Sequence, residues 1–223
     1  MSRMLESHPG DMDVVESDLY KGIVSEIGRM EWEQLNEREF LHVAHAYYFF
    51  SIQFRENLLV ARILFPDDEK LKRLEREECD TDNLSPWPDV AEIGERMNHD
   101  EFMRRLLLLS PLPDEECHKF DVCGAGYLAA VDRTEPVVRA LSIASYEDGG
   151  LEQVFRAMLR APDFHNPALR AFRHFLVEHI RFDSDPDQGH GALSRHLRPD
   201  DRILPLWRGF RDLIVTFTPR LGT

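Results

Sequence analysis

A chain of 223 residues that is 43% apolar and 30% charged can build a substantial core, which excludes an intrinsically disordered protein. Its 27 Lys and Arg against 41 Asp and Glu leave a net charge of −14. Phosphate and anionic lipid surfaces attract positive charge, so neither a nucleic-acid partner nor lipid docking is expected. Apolar residues Val14, Val15, Leu19, Ile23, Ile27 and Met30 recur at helical spacing and predict a helix over residues 13–30. Residues 37–64 are apolar almost all round, so this stretch reads as the most buried helix, ended by Pro66. Pro-Asp-Asp then caps a helix over 68–79. Residues 80–89, with two prolines, an asparagine and several aspartates, read as a loop. Helix resumes over 90–109, breaks at Ser110-Pro111-Leu112-Pro113, and continues over 113–131. Residues 135–161 read as one helix weakened near its middle by Gly149-Gly150. Residues 166–182 are helical, 184–191 a turn, and short helical stretches run to Pro199 and over 200–217. No segment alternates with period two long enough for a strand. The expectation is one all-α domain over residues 1–223, with short connections and antiparallel neighbours.

The N-terminal stretch, residues 1–20, holds no apolar run of the kind a secretory leader carries. The longest apolar candidate, residues 40–64, is interrupted by His42, His45, Gln53, Arg55, Glu56, Asn57 and Arg62, so no membrane span is expected. Three cysteines, Cys79, Cys117 and Cys123, suit free thiols in a reducing cytoplasm. Cys117 and Cys123 flank His118, but no Cys-x-x-Cys pair completes a zinc site, and they read as ordinary thiols.

Chemistry is sought in polar groups on helix faces that ought to be buried. Small and apolar residues precede Glu147, and Leu151, Val154, Phe155 and Met158 follow it. An isolated carboxylate in such surroundings needs a cation, a hydrogen-bonding cluster or water; the alternative is that Glu147 lies on the wet side of its helix. His179 and Asp183 are four residues apart, hence on one helix face, and His190 follows across a short turn. Two imidazoles and a carboxylate make a half-site for iron or manganese, or else a polar helix end with Asp183 as a cap. A third cluster holds Glu77, Glu78, Glu92, Glu95 and His99, where solvated charge is the competing reading. In helix bundles, carboxylates and histidines on facing helices can hold two metals in the core.

With these residues in view, the chain resembles the heme-oxygenase-like non-haem di-iron oxidases and oxygenases, also called iron-containing redox enzymes. Their C-terminal ligand helix carries His-x3-Asp followed by a further His, matched here by His179, Asp183 and His190. An upstream Glu after small residues is matched by Glu147, at 179 − 147 = 32 residues. An earlier Glu and a His that opens a helix are matched by Glu78 and His99, with Glu77 and Glu92 as alternatives for the carboxylate. The likeness spans roughly residues 40–207. It departs from the family in two places: the turn before His190 is longer, and Glu78 and His99 are 99 − 78 = 21 residues apart. A single iron or a labile second one therefore remains open.

The resemblance implies a single-domain heme-oxygenase-like helical bundle and a cytoplasmic oxidoreductase. Two Fe(II) ions would be held by Glu78, His99, Glu147, His179, Asp183 and His190, with Glu147 as the bridging carboxylate and O2 as co-substrate. The substrate would be a small molecule such as an amino acid, a fatty acid or an aromatic or nitrogenous acid. A homodimer is left open. Tyr47, Tyr48, Phe50 and Phe54 would line the pocket or simply fill the core, and Arg55 would face a substrate carboxylate or a neighbouring glutamate. Two rivals remain: a haem enzyme with His42 or His45 as the proximal ligand, and a metal-free helical scaffold in which Arg173 or Arg181 pairs with the buried groups.

Overall fold

The structure, a computed structural model, describes residues 19–79, 86–183 and 189–222; the side chains of Cys79, Phe182 and Asp183 lie outside the described set. Ten α-helices follow one another among these residues: α1 (Leu19–Arg29), α2 (Glu37–Leu64), α3 (Glu69–Cys79), α4 (His99–Leu107), α5 (Asp114–Asp132), α6 (Pro136–Glu147), α7 (Gly150–Met158), α8 (Pro167–Asp183), α9 (His190–Ser194) and α10 (Leu204–Phe217). Short 3-10 turns join several of them, and the described residues contain no strand; Trp87 and Ala91 form an isolated bridge. The all-α expectation holds. No helix among the described residues is long and apolar enough to cross a membrane.

Helix α2 is the axis. Its start is fixed by a reciprocal cap: Asn36 Oδ1 accepts from the Glu39 N–H at 2.9 Å, and Glu39 Oε2 accepts from the Asn36 N–H at 2.9 Å. It packs against α3, α4, α5, α6, α8 and α10, which explains an apolar surface on nearly every side. Tyr47 illustrates this: its ring meets those of Phe50, Phe155, Phe172, Phe175 and Phe210. Tyr47, Phe50 and Phe54 are therefore core rather than pocket lining. Close approach of α5 depends on Gly124, where an added Cβ would fall 2.2 Å from the Phe49 ring.

The contact of α2 with α6 is polar at its centre. Gln53 donates to Tyr146 Oη at 2.6 Å and accepts from the Tyr127 hydroxyl. Asn57 donates to Ser142 Oγ at 3.2 Å and accepts from Arg139 Nε at 2.8 Å. These buried groups satisfy one another and allow one register, which sets where Glu147 ends its helix.

Two predicted helices are corrected. Residues 90–98 are not helical. Asp89 and Gly94 take positive φ (63° and 74°), the Glu95 carboxylate accepts from the Glu92 N–H, and Asn98 caps a helix that begins only at His99. The helix predicted over 135–161 is two helices. Gly149 takes φ 88°, and Gly150 starts α7 so close to the Ser145 carbonyl that a Cβ there would lie 2.1 Å from its oxygen. Residues 13–18, 80–85 and 184–188 of the remaining predicted elements lie outside the described residues, and His190, predicted in a turn, opens α9.

Candidate metal centre

Five of the six expected ligands meet. Glu78 is the penultimate residue of α3, His99 the first of α4, Glu147 the last of α6, His179 lies in the last third of α8, and His190 is the first of α9. All five are less than one-tenth exposed. Ligand atoms of Glu78, His99 and His179 lie within 4.8 Å of one another, and so do those of Glu78, Glu147 and His190. The sixth, Asp183, has its side chain outside the described residues.

Glu78 belongs to both groups. Its Oε2 is 2.7 Å from His99 Nδ1, and its Oε1 is 2.7 Å from His190 Nδ1. Burial pushes this carboxyl up, but the imidazoles of His99 and His190 outweigh it and hold the group well below the usual carboxylate range. Glu147 Oε2 stands 3.2 Å from His190 Nδ1. The shared carboxylate is thus Glu78, where the sequence reading gave that place to Glu147. Among the described residues, His179 and His190 fall in separate groups that share Glu78, and Asp183, the third member of the half-site expected from sequence, lies outside them.

Local structure explains each position. Asn98 Oδ1 accepts from the Glu101 N–H at 3.0 Å, which starts α4 with His99 facing inward. Gly191 brings α9 onto the end of α6, where an added Cβ would lie 3.0 Å from the Glu147 carbonyl oxygen. On α8, His179 Nδ1 lies 2.9 Å from the Phe175 carbonyl oxygen, which can only accept. The proton therefore sits on Nδ1, and Nε2 carries a lone pair, 3.1 Å from His99 Nδ1.

The other candidates separate cleanly. Glu92 is exposed, and Glu95 pairs with Arg105 at 2.7 Å. Glu77 lies behind His190, 3.5 Å from its Nε2. Arg55 pairs with Asp100 at 3.0 Å rather than with a glutamate; sequence reasoning missed this pair, since its partners are 45 residues apart (100 − 55). Cys117 Sγ donates to the Leu112 carbonyl and, with Cys123, is a free thiol.

His42 and His45 sit elsewhere. His42 lies 3.2 Å from both the Phe217 carbonyl oxygen and Glu116 Oε2, and Arg38 also pairs with Glu116. The Phe120 ring stands 5.3 Å from His42 and 5.0 Å from His45 and is stacked on Phe217. Burial pulls His45 down to about 4 from 6.5. The unfolded chain therefore binds this proton at a higher pH than the folded one, so stability rises with pH between about 4 and 6.5 and is lost on acidification through that window. His45→Phe is expected to remove on the order of 3 kcal/mol of that dependence, read as the slope of thermal midpoint against pH.

No family model, no curated protein and no solved structure matches the chain.

Proposed function

We propose that this protein is a non-haem iron oxidoreductase of the heme-oxygenase-like kind, holding two irons in the interior of the bundle and using O2 to oxidise a small-molecule substrate. One observation carries the reading: the two oxygens of a single buried carboxylate, Glu78, face two different imidazoles, each within a separate ligand group. The donor set fits. Three imidazoles with carboxylates are the mixed nitrogen and oxygen ligands that iron accepts. The His179 tautomer is already fixed by backbone so that its lone pair faces the group, which is how ligating histidines are commonly held. His99 turns its Nδ1 to the same group, 2.7 Å from Glu78 Oε2 and 3.1 Å from His179 Nε2.

Iron bound here would supply oxygen reduction and substrate oxidation. The chain's own residues gather and shield it: Glu78 offsets cationic charge on both sides, His99 and His179 close one group, and Glu147 and His190 close the other. Phe175 and Phe155 pack against the His179 ring and keep bulk water from it.

Two observations weigh against the rivals. Arg173, which a scaffold would use to neutralise the buried groups, donates instead to the Leu159 and Ala161 carbonyls and pairs with Asp163 at 2.8 Å. A haem at His42 or His45 would have to displace Phe120. The test is anaerobic loading with Fe(II), metal analysis, and admission of O2 with candidate acids and amines. The expected result is about two irons per chain and an oxygen-dependent absorbance transient; protein that takes up no iron overturns the proposal.

A further inference from the structure

We propose that Glu77 is a positioning residue that fixes which nitrogen of His190 carries the proton and so holds that ring toward its ion. This rests on the metal reading above. The His190 ring is 1% exposed, so its nitrogens depend on protein groups. Nδ1 lies 2.7 Å from Glu78 Oε1 and 3.2 Å from Glu147 Oε2. A neutral imidazole has one lone pair and one N–H. A cation among Glu78, Glu147 and His190 takes the Nδ1 lone pair, which leaves the proton on Nε2. On that side, among the described residues, stands the Glu77 carboxylate, its Oε2 3.5 Å from Nε2 and within reach as an acceptor.

Three features fit Glu77 to this role. Its Oε2 is buried and accepts no hydrogen bond, so it is open to one from Nε2. Its Oε1 accepts from Arg73 Nε at 2.6 Å, one helical turn earlier, which orients the carboxylate. Successive helix residues point about 100° apart, so Glu77 and Glu78 reach the same imidazole from two directions, one behind the ring and one in front. The two histidines differ in where such a partner comes from. His179 uses the carbonyl four residues back in its own helix. His190 is the first residue of a five-residue helix, and Glu77 comes to its Nε2 side from α3. The chain Arg73–Glu77–His190 thus runs from a half-exposed guanidinium into the interior.

Titration with Zn(II) alone, in calorimetry or against a competing chelator, tests this without oxygen chemistry. Wild type, Glu77→Gln and Glu77→Ala are compared, and two-bond 1H–15N spectra of the zinc-loaded proteins report the His190 tautomer. The expected result is that Glu77→Ala weakens one zinc equivalent by roughly 10- to 100-fold and leaves the other within about twofold. Glu77→Gln, which keeps an acceptor oxygen, is expected to fall between, and the wild-type His190 proton to reside on Nε2. Unchanged affinity in Glu77→Ala, equal loss of both equivalents, or a proton on Nδ1 would each overturn the assignment. Wild-type protein that binds no zinc overturns the metal reading itself, a distinct outcome.

Discussion

Glu78→Ala is expected to abolish both metal equivalents at once while the helical fold survives. His179→Ala and Glu147→Ala, each belonging to one group, are expected to cost one equivalent apiece and to leave the helical domain folded. The asymmetry follows from the two 2.7 Å contacts of the Glu78 oxygens, one to each group. Its size follows from linkage: an ion at a hundred times its dissociation constant stabilises the folded chain by about 2.7 kcal/mol. For a chain of this length that is roughly 5–10 °C in thermal midpoint for each ion, so about twice that is present in metal-loaded wild type and missing in Glu78→Ala. Circular dichroism confirms the fold, and elemental analysis counts the ions. A Glu78→Ala protein that keeps both would end the case for a shared carboxylate.

The second large effect is expected at Gly150. An alanine there places Cβ 2.1 Å from the Ser145 carbonyl oxygen and 2.9 Å from Trp207 Cζ2. Backbone cannot swing aside as a long side chain does, so α6 and α7 must part. Overpacking of this kind costs about 1–3 kcal/mol, and more where backbone has to move. The 2.9 Å bond from Trp207 Nε1 to Ser145 Oγ lies in the same contact and would be strained with it. Since Glu147 is the last residue of α6, Gly150→Ala should also weaken the zinc equivalent that uses Glu147. A variant within about 0.5 kcal/mol of wild type in thermal unfolding, with unaltered zinc binding, would show that the break between α6 and α7 has no such tight contact.

Much of this bundle is legible in the residues because its signals are local. The apolar girth of α2, the proline after it and the periodicity of α5 and α8 each lie within one window of sequence. Local backbone strain is harder to see. Gly149 was visible as a weak point, but that it breaks the helix follows from the nearness of Ser145, a tertiary fact. Residues 90–98 carry enough apolar side chains to suggest a helix, yet the positive φ of Gly94 and the cap at Asn98 prevail. For the site, residue types and approximate places could be read, but not the partition between groups. Glu77 and Glu78 are indistinguishable in sequence. Only the approach of α9 to α3 decides which lies in front of His190 and which behind.

The ligand positions are far apart along the chain. An ion gripped by Glu78 and His190 ties off 190 − 78 = 112 residues. Closing so long a loop in the denatured chain is entropically costly, so chelation there is weak and metal is captured only after the helices have assembled. Ions bound as proposed would behave as rivets driven in last. They would leave the rate of folding as it was and lengthen the lifetime of the native state, because every route to unfolding would first have to release them.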